Sequence, residues 1–176
     1  LDSAKLTTTL NDPTKDVSTL FAAIGKPTDS QIAFASSTSD TKNGNYAVYV
    51  TQLATRGNAV GGGAAALTIY ANTNDVLNVA IDGVSASLTL AAGTYTAATL
   101  AAEIQSKING ATALSSAGIG VTVSQSSGVL TVTSNRYGSA SMAVITGGNG
   151  ATDLFGTAAS TTGVDAAGTI GGVAAA

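Results

Sequence analysis

The sequence predicts an α+β fold, in which mostly antiparallel β-sheets are covered by a short helix and preceded by an N-terminal helical segment. Short runs of alternating apolar residues recur, bounded by Gly, Asn, Asp and Ser, as in half-buried antiparallel strands. Asp82-Gly83 lies between two such runs and favours a tight two-residue hairpin. An amphipathic helical pattern follows, with Leu100, Ile104 and Ile108 on one face.

The first residues of the chain are predicted to be helical. Asp2 or Ser3 is a candidate N-cap for a first helix. A second helix is predicted more clearly, because Asp12 can cap it and Gly25 can end it. Its apolar residues fall at helical spacing and form one stripe: Val17, Leu20, Phe21 and Ile24.

Two strands are predicted next, at 31–36 and 46–53, because apolar side chains alternate along both segments. The polar segment between them predicts a hairpin-like loop. VGGGAA at 60–65 follows, and its three glycines predict a hinge or a wide turn.

The middle of the chain is predicted to be a module with the order ββ–α–ββ–β. Thr96 is the expected N-cap of its helix, and Asn109-Gly110 is expected to close it with left-handed dihedrals. The helix covers the apolar face of the hairpins and shows no chemistry of its own. The five strands of this order are predicted at 76–81, 85–90, 120–124, 129–134 and 141–146, and one more strand of the module is predicted before them at 67–71.

The last part of the chain is rich in Gly, Ala and Thr. ATDLFG predicts a short helical turn, and the tail contains one plausible strand near 167–170 that would need a partner outside the segment. The whole chain is therefore divided into four parts. These are a helical segment at 1–25, strands at 26–60, a β-α-β module at 61–150 and a returning segment at 151–176.

The composition excludes several classes of function. The 176 residues contain no Cys, His or Trp, which excludes disulfides, thiolate or imidazole metal centres and nucleophiles activated by His. Only 10% of the residues are charged and the net charge is −3, which does not suit a nucleic-acid binder. No run approaches the roughly 20 apolar residues that span a bilayer, so membrane insertion is not expected. The chain begins without Met or a signal peptide and is interpreted as an internal fragment.

Two residue patterns suggest enzyme sites but are better explained as loops. Ser39 and Lys42 have S-x-x-K spacing, yet they lie in a predicted loop and the companion motifs are absent. The glycine-rich segments 60–65 and 146–151 lack the spacing of a phosphate-binding loop. No catalytic residue is therefore predicted, and an enzyme is not expected.

Two further patterns suggest ligand binding. Four oxygen-bearing side chains could approach a calcium ion, but a turn and a hairpin explain them better because their carboxylates are not concentrated in one loop: Asn72, Asn74, Asp75 and Asp82. Five tyrosines could stack on sugars, although strands favour Tyr for packing alone: Tyr46, Tyr49, Tyr70, Tyr95 and Tyr137. No metal or cofactor site is predicted.

Several stretches resemble one family. LDSAKLTTTLNDPTKDVSTLFA (1–22) looks like a segment near the end of bacterial flagellar filament cap proteins, the hook-associated protein 2 family. GNYAVYVTQLATRG (44–57) resembles that family's G-x-Y-x-V-x-V-T-Q-L-A strand. The module at 76–146 is similar to the "IN" motif of flagellins, hook-associated proteins and caps, through AAEIQSKINGA and GVTVSQSSGVLTVTSNRYGSA. ATDLFG and GVDAAGTIGGVAA look like the sequence that follows this motif. The chain is thus similar to the head region of a cap protein.

The order of these segments differs from ordinary members of the family. There the first segment lies far downstream of the V-T-Q-L-A strand, whereas here it comes first. This order resembles a longer cap protein that carries an extra copy of the strand and the "IN" unit. Residues 26–176 are then expected to be an added outer domain.

The resemblance implies a structural component of the flagellum. It would be secreted and extracellular, at the distal tip of the filament, where a cap promotes assembly of flagellin subunits and prevents their loss. Its implied partners are further copies of itself in a cap oligomer and flagellin subunits. Two alternatives stay open: an exposed adhesion domain of the cap that binds host glycan, mucin or a surface, and an outer domain of flagellin itself. The fragment alone is expected to associate weakly, because no long exposed apolar run is visible.

Overall fold

The structure, a computed structural model, describes residues 2–12 and 25–175. Contacts between residues divide the chain into two units, Leu1–Tyr46 and Ala47–Ala176. The helix predicted after Asp12, with its stripe of four apolar residues, lies outside the described residues and stays a prediction.

The first unit contains helix α1, Ser3–Leu10. Of the two candidate caps, Asp2 takes the role, because its carboxylate accepts a hydrogen bond of 3.1 Å from the backbone N–H of Lys5. Three consecutive threonines lie inside the helix, and each hydroxyl donates at 2.9 Å to the carbonyl four residues earlier. These bonds accommodate a residue type that otherwise disfavours helices.

The strand predicted at 31–36 is wrong, because Asp29 directs a turn there. Its carboxylate accepts from the Gln31 N–H at 2.8 Å and its carbonyl accepts from the Ile32 N–H at 3.2 Å. Ile32 and Phe34 alternate as predicted but remain exposed, and no strand lies in the described residues 25–47. The segment 37–45 is therefore a loop that joins no strand pair, so the predicted hairpin-like loop is also wrong.

The second unit carries the remaining elements. Its helices in the described residues are α2 (Ala97–Gly110), α3 (Thr112–Ser115) and α4 (Ala151–Phe155). Its strands are β1 (Val48–Gln52), β2 (Asn58–Ala64), β3 (Thr68–Ile69), β4 (Val76–Ile81), β5 (Val84–Thr89), β6 (Gly93–Thr94), β7 (Val121–Ser126), β8 (Val129–Ser134), β9 (Ala143–Gly147), β10 (Ala159–Thr161), β11 (Ala167–Ile170) and β12 (Val173–Ala175).

The strands form antiparallel sheets with the orders β1-β11-β12, β10-β2-β8-β7, β3-β6 and β5-β4-β9. The predicted α+β class is confirmed, and β4, β5, α2, β7, β8 and β9 follow the predicted order ββ–α–ββ–β. The Asp82-Gly83 hairpin is confirmed as well, with φ of 49° and 86°, the left-handed values of a type I′ turn. A second turn of the same kind, Ser127-Gly128, joins β7 to β8.

Helix α2 completes the core of this unit. Its start is the predicted Thr96, whose hydroxyl accepts from the Thr99 N–H at 3.2 Å while the Thr99 hydroxyl accepts from the Thr96 N–H at 2.9 Å. The helix packs on β5 of one sheet and β7 of another. Its stripe is fully buried as predicted: Leu100, Ile104 and Ile108.

Two further predictions in this unit are wrong. The glycines at 60–65 lie in strand β2 and form no hinge, because the strand continues through them with only a register shift in its pairing with β8, between Val60 and Ala64. A Cβ on Gly62 would lie 2.7 Å from the carbonyl oxygen of Thr157. The predicted strand at 67–71 is reduced to β3, because the Asn74 N–H returns to the Tyr70 carbonyl at 3.2 Å and closes a turn.

The predicted end of α2 and the predicted partner of the tail are also corrected. Neither Asn109 nor Gly110 takes a left-handed conformation; the chain leaves the helix at Ala111, with φ −66° and ψ 120°, and enters α3, which was not predicted. The predicted tail strand is present as β11, but its partners β1 and β12 lie inside the chain.

Candidate protein interface

The sheet β1-β11-β12 presents an exposed apolar face. Val48 lies opposite Ile170, and Ile170 lies opposite Val173 on the other side of β11. Because side chains alternate along a strand, Val50 projects to the same face as Val48. We call the four side chains Val48, Val50, Ile170 and Val173 the apolar face. Their exposed fractions are 41, 60, 47 and 72%. Exposed aliphatic side chains that lie together on one face of a sheet mark a candidate surface for contact with another protein.

The sequence builds this sheet without a charged side chain in its strands. The strand sequences are VYVTQ, AGTI and VAA. Gly168 lets β1 approach closely, because a Cβ at this position would collide with the carbonyl oxygen of Tyr49. The Thr51 hydroxyl donates to the Ala167 carbonyl at 3.0 Å, and the Gln52 amide donates to the Asp165 carbonyl at 3.3 Å. These bonds fix β1 against β11, so that the apolar face belongs to an ordered sheet and not to a loose end.

The residues weighed as calcium ligands bind each other and nearby backbone. The side-chain oxygen of Asn74 accepts from the Tyr70 N–H at 2.7 Å, and its side-chain NH2 group donates to the Asp153 carboxylate at 3.0 Å. Asp75 accepts from the Asn72 N–H at 2.9 Å and from the side-chain amide of Asn149 at 3.3 Å. The Asn72 N–H, more than the Asn149 amide, holds the pKa of Asp75 below its ordinary value.

Asp82 lies at the hairpin and joins two strands. Its carboxylate accepts from the Ser134 hydroxyl at 2.9 Å and from the Met142 N–H at 2.8 Å. Within residues 2–12 and 25–175, no group of three or more acidic side chains is arranged to hold a metal ion. Asn74, Asp75 and Asp82 therefore have structural roles, two at a turn and one at the hairpin.

Ser39 and Lys42 lie in the exposed loop of the first unit. The Lys42 carbonyl accepts from the Tyr46 hydroxyl at 2.7 Å, which closes this loop. The glycines at 146–151 lie where β9 passes into α4, and the Gly150 N–H donates to the Val76 carbonyl at 2.9 Å. In the described residues, the side chains of Ser39 and Lys42 form no hydrogen bond with each other, and the helix at the second place has only five residues, too few to form an anion site.

The candidate sugar-stacking tyrosines have different environments. Tyr46, Tyr49, Tyr70 and Tyr137 are exposed, while Tyr95 is partly buried and donates its hydroxyl to the Ala91 carbonyl at 2.7 Å. Burial, with a contribution from the Glu103 charge, raises the pKa of Tyr95. The guanidinium of Arg56 lies 4.4 Å from the ring centre of Tyr137, which is a cation–π contact.

Two polar residues of α2 were missed by the sequence reasoning. The Asn109 amide accepts from the Val121 N–H at 2.8 Å and donates to the Val121 carbonyl at 3.0 Å, as a neighbouring strand would. Gln105, one helical turn earlier, accepts from the Val123 N–H at 2.8 Å. Because β7 is an edge strand, this amide clamp occupies backbone groups that another chain could otherwise pair with. The sequence signal that could have predicted this contact is the spacing of Gln105 and Asn109, which lie four residues apart and therefore on the same side of the helix, next to its apolar stripe.

No protein-family model matches the chain, and no curated protein matches it. Solved structures do. The D2-D3 domains of the flagellar cap protein FliD from Serratia marcescens align with a TM-score of 0.53 at 17% identity, over 78% of this chain and 79% of that one. The flagellar cap protein FliD from Bdellovibrio bacteriovorus aligns with a TM-score of 0.50 at 16% identity, over 77% of each chain.

These alignments show that the chain has the fold of flagellar cap head-region domains. The resemblance predicted from the sequence is confirmed at this level. In the described segments, no helix combines the length and hydrophobicity that would let it cross a bilayer.

Proposed function

We propose that the chain is a structural component of the bacterial flagellum, a head-region part of the filament cap at the distal tip. There it promotes assembly of flagellin subunits and prevents their loss. The observation that carries this proposal is the fold shared with two flagellar cap proteins over more than three quarters of the chain. The 26–176 segment acts as an added outer domain, with 61–150 as its flagellin-type module.

The proposed activity consists of contacts between protein surfaces. The apolar face is the surface that we assign to contact with a neighbouring cap subunit, because it combines exposed aliphatic side chains with an ordered sheet. Its strands carry no charge, so the contact depends on burial of apolar area and changes little with salt. No bond-making step is required.

The function is tested by deleting residues 26–176 from the encoding gene in its own bacterium. Filament length, flagellin released into the medium and surface adhesion are then measured. Short filaments with released flagellin support a role in capping. Filaments of normal length with normal retention of flagellin contradict the proposal.

The surface is tested by a single charge. Val50→Asp places a carboxylate in the apolar face and is expected to give shorter filaments and more released flagellin, because burial of an unpaired charge opposes association. Ser85→Asp adds the same charge on the exposed side of β5 and is the control. Equal effects of the two variants would exclude the apolar face as the contact surface.

A second candidate function rests on the exposed tyrosines. An outer domain of the cap that presents Tyr49, Tyr70 and Tyr137 could bind host glycan, mucin or a surface through their rings. The same deletion distinguishes it, since filaments of normal length with weakened adhesion favour this role.

The flagellin alternative predicts thousands of copies along the filament, whereas a cap protein is present in a handful, so quantitative mass spectrometry of purified filaments separates the two.

A further inference from the structure

The chain contains three Asn-Gly pairs, at Asn43, Asn109 and Asn149. An asparagine before glycine can lose its side-chain amide when the glycine nitrogen attacks the side-chain carbonyl carbon. A C–N bond forms, the amide nitrogen leaves as ammonia with the proton of the glycine N–H, and a cyclic succinimide results. One water molecule then opens the ring to aspartate or isoaspartate. Glycine favours this attack because it has no Cβ to hinder the approach.

Two of the pairs are held in geometries that oppose the attack. The Asn149 side chain accepts from the Val76 N–H at 2.7 Å and donates to Asp75 at 3.3 Å, while the Gly150 nitrogen donates to the Val76 carbonyl at 2.9 Å. In the other pair, both amide atoms of Asn109 are bound to Val121. Gly110 is the last residue of α2, whose backbone hydrogen bonds hold its N–H.

Asn43-Gly44 lies in the exposed loop before β1. Neither its side-chain amide nor the Gly44 N–H has a hydrogen bond to another residue in the part of the chain that the structure describes. The Tyr46 hydroxyl closes this loop on the Lys42 carbonyl and leaves the two residues of the pair projecting into water. No hydrogen bond of the described residues therefore has to break before the Gly44 nitrogen reaches the side-chain carbonyl carbon of Asn43.

We propose that Asn43 is a site of spontaneous deamidation and isoaspartate formation, and that the fold protects Asn109 and Asn149. The modification adds a negative charge to a chain whose net charge is −3. In its isoaspartate form it also inserts the side-chain methylene into the backbone of the loop that leads to β1. The proposal does not depend on the proposed flagellar function.

Tryptic digestion separates the three sites, because they fall in the peptides 43–56, 108–136 and 137–176. The folded protein is incubated in mildly alkaline buffer, and the mass gain of each peptide is followed, with isoaspartyl methyltransferase as the probe for isoaspartate. We expect the peptide 43–56 to react at least about tenfold faster than the others, since those must first break two or more hydrogen bonds.

The urea-unfolded chain is the matched control, and there the three peptides should react at similar rates. Gly44→Ala should slow the reaction at Asn43 in the folded protein. No gain in the peptide 43–56 while the unfolded chain reacts at all three sites would overturn the proposal. Equal rates for the three sites in the folded protein would overturn it as well.

Discussion

Two parts of the second unit use the same kind of strand with opposite results. The sheets β10-β2-β8-β7 and β5-β4-β9 are covered by helices, and we call them the helix-covered sheets. Their strand β4 alternates between partly exposed and fully buried residues, and Leu77, Val79 and Ile81 are completely inaccessible to solvent. In the sheet β1-β11-β12, the described strand residues are all exposed or only half buried. Both parts are built largely from uncharged Val, Ile, Thr, Ala and Gly.

The difference lies in the covering layer. The helix-covered sheets have α2 and α4 packed against them, whereas no described element of the second unit covers the apolar face. A sheet is hydrophobic on one face and becomes stable by burying it against another layer. The first part therefore supplies its own core, whereas the apolar face stays exposed in the described second unit.

The largest effect on stability is expected on the buried face of α2, which covers the first of the two parts. Ile104→Ala should lower the free energy of unfolding by about 2–5 kcal/mol, because it removes a fully buried side chain and leaves a cavity. Urea unfolding measures the change. Ser106→Ala, at an exposed position of the same helix, is the control and should change stability by about 0.5 kcal/mol or less. Similar losses in both variants would mean that α2 does not hold the core.

A smaller effect is expected at the amide clamp. Asn109→Ala removes both hydrogen bonds to Val121 and should lower the free energy of unfolding by about 1–3 kcal/mol, because it leaves partly buried backbone groups unpaired. Hydrogen exchange should accelerate at the Val121 amide more than at the Val123 amide, which Gln105 still holds. Ser106→Ala again serves as the control, because it places alanine in the same helix without touching the clamp. Unchanged exchange at Val121 would contradict the clamp.

The sequence was sufficient for the parts of the fold that local rules determine. Asp82-Gly83, Thr96 and the stripe of α2 follow from turn chemistry, capping and helical periodicity, and all three are confirmed. The helical turn at ATDLFG and the strand near 167–170 were also placed correctly.

The sequence was insufficient where neighbours distant in the chain decide the structure. The glycines at 61–63 looked like a hinge, but β2 needs Gly62 because the Thr157 backbone passes close by. The alternation at 31–36 looked like a strand, but a strand needs a pairing partner and Asp29 supplies a turn instead. The partners of β11 could not be read from its own residues, so the apolar face was not predicted either.

Acid should lower the stability of both parts, because each part contains one aspartate whose pKa is lowered in the folded protein. A hydrogen bond from the Asn72 N–H lowers the pKa of Asp75 beside the helix-covered core, and hydrogen bonds from Ser139 lower that of Asp165 just before β11. A lowered folded-state pKa means that the stabilisation is complete above the ordinary value of about 3.9 and is lost as the pH falls through the lower folded value.

The melting temperature should therefore fall as the pH is lowered from about 5 towards 2, and less steeply in Asp75→Asn and Asp165→Asn. Exchange of the amides that pair β1 with β11 should lose its acid sensitivity only in Asp165→Asn. Identical pH profiles in the two variants and the unsubstituted chain would show that neither carboxylate contributes.

The smallest effect is expected on the apolar face, and it separates the two parts most directly. Val50→Ala removes two methyl groups, as a core truncation would, but from a side chain that is 60% exposed. Its effect on the unfolding free energy of the isolated chain should therefore be within about 0.5 kcal/mol. In contrast, a face that is buried by a neighbour in the assembled cap would make the same truncation costly to assembly. A large loss of stability in the isolated chain would mean that the chain already covers Val50. A negligible loss in both settings would mean that this sheet is exposed for some other reason than contact.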